Sequence, residues 1–318
     1  MDSVYDVIII GGGAAGLTAG IYASRAKLKT LLIESTVHPS QITTTDFIEN
    51  YPGFPDGIGG FDLIDKFKEQ AARFGLESVY GAVQSIQKSP DGWQVSTEDE
   101  AYTGLSLIIA TGSSYAKLGV PGEEEFIGRG VSYCATCDAP FYKNKEVVVV
   151  GGGDASMQEA MYLTKFAHKV TIIHRRDRLR ANATLQEKVF ANDKISFAWN
   201  SVLERISGDA SVSGIKLKDV KTGKTSELKA DGIFIFAGLN PNTEIFKGLI
   251  TMNDKGFIQT DSDMQTSQKG IFACGDCIEK ILHQVVTACG DGATAAFAAQ
   301  LYVEELKGVS YDAPEKNK

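Results

Sequence analysis

Two cysteines separated by two residues and followed at once by an acid form the most reactive cluster in this chain: Cys134-Ala135-Thr136-Cys137-Asp138. That spacing lets the sulfurs close a short disulfide or open to a dithiol, and one thiolate of such a pair is commonly stabilised by its surroundings. Asp138 stands where it could carry a proton to or from a thiolate, a role that needs partial burial and a raised pKa. The alternatives are a zinc half-site, which would need two more ligands where no His or Cys lies close in sequence, and simple burial of small side chains. Redox chemistry is the expected use. Cys274-Gly275-Asp276-Cys277 repeats the spacing. It follows the apolar run Gly270–Ala273 and sits in a Gly-Asp turn, so both cysteines are expected to pack as small hydrophobes. Cys289 stands alone and is read as core.

The elements that must position this chemistry come from a pattern that occurs twice. Val4–Ile10 is a short apolar strand run ahead of Gly11-Gly12-Gly13-Ala14-Ala15-Gly16; Glu146–Val150 is another, ahead of Gly151-Gly152-Gly153-Asp154-Ala155-Ser156. Each opens an Ala-rich helical stretch, expected over Leu17–Lys27 and Met157–Phe166, and each returns to a strand, Thr30–Glu34 and Lys169–His174. In the first unit Gly11 permits the tight turn, Gly13 lets a pyrophosphate approach the backbone, and Gly16 lets helix and strand pack closely. The helix N-terminus offers N–H groups to phosphate. Glu34 ends the second strand at the distance for binding ribose hydroxyls, which suits FAD or NAD and repels a 2′-phosphate. The second unit has no acid there. His174-Arg175-Arg176, with Arg178 and Arg180, supplies a guanidinium cluster suited to the extra phosphate of NADP. A solvated basic turn is the plainer alternative.

Two apolar strands ending in turn residues, Leu105–Ala110 into Thr111-Gly112-Ser113-Ser114 and Gly232–Phe236 into Ala237–Asn242, read as two passages between domains. The expected fold is α/β, with two Rossmann-like dinucleotide-binding domains. The second domain, residues 113–243, would be an insertion between two halves of the first, residues 1–112 and 244–318. Downstream, His283-Gln284-Val285 and Gly290-Asp291-Gly292 precede a helix expected over Ala293–Leu301, whose N-terminus could face a flavin ring. With 318 residues, a net charge of -8 and 43% hydrophobic residues, the composition is that of a soluble acidic protein. It excludes nucleic acid as a partner, which needs a positive footprint. No apolar run reaches bilayer length. No basic stretch precedes the first strand, so a cytoplasmic setting is expected. The tail from Asp312, charged and holding Pro314, is expected to fray.

Taken together, CATCDAPFYKNK, the twin glycine units, HRRDRLRA (His174–Ala181), QITTTDFIENYPGFP (Gln41–Pro55) and the Gly-Asp segment resemble the low-molecular-weight, bacterial-type thioredoxin reductases. The resemblance runs from Val4 to about Leu306. It implies FAD in the discontinuous domain and NADPH in the inserted one, a homodimer, and alternation between two domain orientations with hinges near Ser113 and Asn242. It implies that NADPH reduces FAD, that FAD reduces the Cys134–Cys137 disulfide, and that the dithiol reduces thioredoxin. Cys137 would be the flavin-side thiol, Cys134 the exchange thiol and Asp138 the general acid. FAD contacts would come from Gly11, Gly13, Ala14, Ala15, Gly16, Glu34, Gln41, Asn50, Ala110, Thr111, Gly112, Gly275, Asp276, His283, Gln284 and Val285. NADPH contacts would come from Gly151, Gly153, Asp154, Ala155, Ser156, His174, Arg175, Arg176 and Arg180. No metal is expected.

Several residues depart from that family's pattern. Ser40 stands where Gly is usual before Gln41, Ala139 replaces Gly after the cysteine motif, and Ser156 occupies a Gly/Ala position. His283 replaces Arg, and Cys274 and Cys277 replace apolar residues. Two rival readings follow: a reductase of the same fold that uses ferredoxin or serves another thiol partner, and a flavin-based redox sensor without turnover.

Overall fold

The computed structural model describes residues 4–35, 40–45 and 47–309; the tail from Asp312 lies outside them. The chain begins β1 (Tyr5–Ile10), α1 (Ala14–Arg25), β2 (Thr30–Glu34), α2 (Gly60–Arg73), β3 (Glu77–Tyr80), β4 (Ser85–Ser89), β5 (Gly92–Ser96) and β6 (Ala101–Ile109). It continues through β7 (Ser113–Tyr115), β8 (Val131–Ser132), α3 (Ala135–Asp138), β9 (Glu146–Val150), α4 (Asp154–Leu163), β10 (Lys169–Ile173), α5 (Ala183–Phe190) and β11 (Ile195–Ala198). It ends with β12 (Ser201–Gly208), β13 (Val212–Asp219), β14 (Thr225–Lys229), β15 (Gly232–Ile235), β16 (Leu239–Pro241), β17 (Ile271–Ala273) and α6 (Val285–Leu306). Two compact units result: one from the segments up to Ser114 and from Asn240 onward, the other from Tyr115–Leu239.

The first unit holds a sheet ordered β3-β2-β1-β6-β5-β4. β1, β2, β3 and β6 run parallel, and β5 and β4 extend the edge as an antiparallel hairpin. β17 pairs in parallel with the carboxyl half of β6. β1 is buried on both faces, which is why it reads as a continuous apolar run. Val7 and Ile9 join the cluster that holds α1 and α6; Ile8 and Ile10 join the opposite cluster with Leu31, Ile33 and Phe246. Truncating Ile9, which is fully buried, to Ala would cost roughly 2–5 kcal/mol.

The second unit repeats the logic. Its five-stranded sheet, β11-β10-β9-β15-β8, is parallel throughout. Val147 and Val149 face Met157 and Leu163 of α4. Val148 and Val150 face Leu203, Ile206 and Ile215, which lie on the antiparallel sheet β12-β13-β14.

Three helices differ in extent from expectation, each for a local reason. α1 starts three residues early because Gly13 takes an extended N-cap conformation (φ -80, ψ -172), and it cannot run on because Lys27 sits at φ 62. α4 likewise starts at Asp154, directly after an extended Gly153. α6 starts eight residues earlier than the expected Ala293. Gln284 and Thr287 form a reciprocal capping box, which draws Gly290-Asp291-Gly292 inside the helix instead of into a turn.

Candidate functional site

In the first unit the carboxyl ends of four parallel strands converge, the place where open α/β sheets bind ligands. β1 leads into Gly11–Gly16, β2 ends on Glu34, β6 leads into Ala110–Gly112, and β17 leads into Cys274–Asp276. Gly11 lies at φ +114, and a Cβ there would strike the Ala110 carbonyl. No side chain caps the N-terminus of α1 and its first turn holds no acid, so its N–H dipoles are left for an anion. A Cβ on Gly13 would lie 3.2 Å from Ser40 Oγ, so the departure at Ser40 places a hydroxyl at the edge of this cradle. Glu34 pairs with Lys68 Nζ at 2.8 Å.

The rest of this site is assembled by polar bridges. Gln41 Nε2 donates to the backbone carbonyl and, at 3.1 Å, to the hydroxyl of Ser113. Asn50 donates to Gln284 Oε1 at 2.8 Å, which ties the Gln41–Pro55 segment to the α6 cap that carries Val285. Asn242 holds the Thr111 carbonyl with its side chain and the Gly112 carbonyl with its backbone N–H, both at 3.0 Å. Gly275, at φ +78, approaches so closely that a Cβ would lie 2.8 Å from Ala15 Cβ, and its N–H donates to Asp291 Oδ2 at 3.2 Å. Lys280 bonds Asp291 at 2.8 Å and lies 3.5 Å from Asp276 Oδ1. His283 Nδ1 lies at the same distance from that oxygen, which is buried without a hydrogen bond among the described residues. Sequence reasoning missed Lys280 and gave Asp291 no role of its own. Lys68 was missed too, and Ser113 enters the sequence reading only as a turn residue and hinge, since nothing in sequence pairs them with Glu34 and Gln41.

In the second unit the corresponding sheet edge carries both kinds of chemistry. β9 leads into Gly151–Gly153, β10 into His174–Arg176, and β8, two strand spacings or about 10 Å from β9, leads into Cys134. A Cβ on Gly153 would meet nothing nearer than Arg180 Nη2 at 3.8 Å, and no side chain caps α4. This is an open cradle with a guanidinium beside it. Asp154 Oδ1 is occupied by the Asn182 N–H at 2.7 Å, so the acid beside Ala155 does not face an incoming phosphate unpaired. Ser156 is 1% exposed and donates to the Gly153 carbonyl at 2.8 Å, so its extra hydroxyl is satisfied. Arg175, Arg176 and Arg180 are exposed. His174 is 8% exposed, its Nε2 has no hydrogen-bond partner among the described residues, and its ring meets Trp199 edge-on at 6.5 Å. Burial first, then Arg180, Arg176 and Arg175, hold its pKa below the usual value.

Cys134 and Cys137 are joined as a disulfide. Cys134 caps the short helix α3, accepting the Cys137 N–H at 3.2 Å through Sγ. Cys137 is exposed and Cys134 half-buried. Exposure by itself favours Cys137 as the attacking sulfur; the amide bond, which stabilises a thiolate on Cys134, favours Cys134. Asp138 is half-buried and its charge helps to raise the pKa of Tyr142, second to burial. Ala139 is fully buried in the cluster that holds Met157 and Ala160, which accounts for a methyl where Gly is usual. Cys274, Cys277 and Cys289 are free. The first two are fully buried, and burial raises both pKa values, that of Cys277 to about 11.

The family model for pyridine nucleotide-disulphide oxidoreductases matches residues 5–292. The chain belongs to that family. Among curated relatives it is 50% identical over 307 residues to the thioredoxin reductase of Listeria monocytogenes, covering 96% of each chain. It is 48% identical over 310 residues to that of Treponema pallidum, covering 96% of this chain and all of the relative. Among solved structures, Lactococcus lactis thioredoxin reductase in its FR conformation superposes with a TM-score of 0.92 at 46% identity, over 95% of this chain and 99% of that one. A ferredoxin-flavin thioredoxin reductase from Clostridium acetobutylicum is more distant, at 32% identity and a TM-score of 0.51 over 96% and 98%. This family member is an NADPH-dependent disulfide oxidoreductase with FAD and NADPH as cofactors. The two uncapped, glycine-lined helix N-termini fit their pyrophosphates.

Proposed function

We propose that the chain is a thioredoxin-disulfide reductase in which the unit formed by the segments up to Ser114 and from Asn240 binds FAD, and the unit Tyr115–Leu239 binds NADPH and carries the redox pair. The observation that carries this reading is the Cys134–Cys137 disulfide at the same sheet edge as a dinucleotide cradle flanked by arginines. When bound, NADPH and FAD supply the two electrons that open the disulfide. Every other part belongs to the chain. Gly11, Gly13 and Gly16 bring the α1 N-terminus against one pyrophosphate, with Ala14 and Ala15 supplying first-turn N–H groups. Glu34 accepts ribose hydroxyls. Gln41, Asn50, Ala110–Gly112, Gly275, Asp276, His283, Gln284 and Val285 wall the remainder. Gly151–Ser156 cradle the second pyrophosphate, and His174, Arg175, Arg176 and Arg180 take the 2′-phosphate, which favours NADPH over NADH. A ferredoxin donor would leave that arginine cluster without a purpose.

Once the disulfide is open, Asp138 carries the proton that leaves or joins a thiol. The Cys134 thiolate attacks one sulfur of the partner disulfide, forming a mixed disulfide and expelling the partner's other sulfur as a thiolate. Cys137 then attacks Cys134 Sγ, releasing the reduced partner and restoring the Cys134–Cys137 bond. Phe141, 72% exposed just past the pair, offers apolar contact to a thioredoxin surface.

A homodimer is supported by one face of α6, where Val286, Phe297 and Leu301 are exposed at helical spacing, and by Ile281 and Leu282, exposed in the segment just before the helix. Phe297→Glu should then yield monomers in sedimentation. No helix among the described residues is long and apolar enough to cross a membrane. A cytoplasmic setting fits the three free cysteines, which a reducing compartment keeps as thiols. NADPH oxidation with and without thioredoxin, using NADH as the control, tests the function. Thioredoxin-dependent turnover that prefers NADPH supports it; flavin bleaching without added turnover leaves the family and removes the partner.

A further inference from the structure

One buried carboxylate stands just outside the machinery described above. Glu123 is 1% exposed and gathers four donors. The backbone N–H groups of Leu118, Gly119 and Val120 reach it at 2.8, 2.6 and 3.3 Å, and the Tyr133 hydroxyl at 2.6 Å. Burial works to raise its pKa, but Tyr133 and the three amides outweigh that and hold the carboxyl below its usual value. A buried anion with all its donors in place is a rigid anchor, because losing any donor leaves charge uncompensated. Tyr133 is the residue immediately before Cys134.

A second device grips the same point. Ser132, 5% exposed, accepts the Cys134 N–H at 3.0 Å and donates to the Cys134 carbonyl at 3.1 Å, both through Oγ. Cys134 is therefore held on both sides of its main chain. Cys137 is exposed, and the hydrogen bond at its own N–H runs to Cys134 Sγ.

We propose that Ser132, Tyr133 and Glu123 are positioning residues that hold Cys134 as the stationary sulfur of the couple, so that opening and closing the disulfide moves Cys137. Fixing one sulfur lowers the conformational entropy lost when the ring closes, and so raises the effective concentration of one thiol at the other. The clamp thus favours the disulfide in the balance: protein disulfide plus two glutathiones giving protein dithiol plus oxidised glutathione. This inference rests on Cys134–Cys137 being the redox pair and needs no partner protein.

The test is a glutathione redox titration of the full-length holoenzyme, reading free thiols, with thermal melting alongside. Tyr133→Phe keeps the ring and leaves Glu123 its three amides; Ser132→Ala removes the second grip and serves as an independent variant. Each is expected to shift the equilibrium constant about tenfold toward the dithiol, about 30 mV less negative for a two-electron couple. If Tyr133→Phe and Ser132→Ala leave the constant within twofold of wild type while the melting temperature falls, the residues serve only the fold and the proposal is overturned. A wild-type enzyme that fails to reduce thioredoxin would overturn the partner assignment and leave this titration decisive.

Discussion

Gly153→Ala separates cofactor binding from folding in the second unit. Gly153 is extended at φ -100 and ψ -177, a conformation Ala adopts freely, and its new methyl would meet only Arg180 Nη2 at 3.8 Å. The fold should lose only the N-cap preference of Gly over Ala at α4, about 1 kcal/mol. The methyl would, however, occupy the approach to the first-turn N–H groups of α4, so a phosphate would be pushed off at least one of them. A hydrogen bond to a charged group contributes about 1.5–3 kcal/mol, and 1.4 kcal/mol is tenfold in affinity. The Kd for NADPH should therefore rise roughly 10- to 150-fold. Calorimetric titration with NADPH measures this, while the melting temperature should fall only by the small cost of the cap and FAD content should match wild type. Gly151→Ala is the contrasting control: at φ +155 its Cβ would sit 2.6 Å from the Phe236 carbonyl oxygen, so it should lose the fold. An unchanged Kd in a folded Gly153→Ala enzyme would refute the placement of the pyrophosphate.

Arg180→Ala should raise the KM for NADPH about tenfold, one charge-assisted contact at an exposed site, and leave the KM for NADH as it was; equal losses with both nucleotides would move Arg180 off the 2′-phosphate. His174 has its pKa lowered in the fold from 6.5, so below about pH 6.5 the unfolded chain binds the proton more readily. Its contribution is intact above that pH and is lost as pH falls toward the folded value. Melting of wild type and His174→Gln between pH 7.5 and 5 should show a wild-type decline that the variant lacks, and parallel curves would contradict the burial argument. Cys277→Val adds roughly one methylene at a fully buried site, so it should cost about 1–3 kcal/mol and leave turnover unchanged; loss of turnover without loss of stability would give the second cysteine pair a chemical role.

The strands were legible in sequence because both parallel sheets are buried on two faces. Runs such as Val147–Val150 carry no alternation to confuse, and the glycine turns that follow them mark their carboxyl ends. Helix starts were less legible, since an extended glycine N-cap at Gly13 or Gly153 leaves no side-chain signal, and the Gln284–Thr287 capping box begins with a residue that is not a common cap. The cysteine motif, the glycine cradles and the arginine cluster could be read because each is local in sequence. What could not be read is long-range pairing. Asn50 with Gln284, Gln41 with Ser113 and Asn242 with Thr111 join residues 72 to 234 positions apart. The Glu123–Tyr133 bond spans only ten residues, but neither residue type advertises a buried carboxylate.

In the proposed reaction electrons leave the chain through Cys134 to a thioredoxin disulfide. Trapping tests it most directly: reduced Cys137→Ser and Cys134→Ser enzymes are each mixed with oxidised thioredoxin, quenched in acid, and separated without reductant. A one-to-one mixed disulfide through Cys134 is expected in the Cys137→Ser enzyme and little or none in Cys134→Ser. An adduct formed only through Cys137, the more exposed sulfur, would contradict the assigned order of attack, and no adduct with either variant would contradict the thioredoxin reading itself.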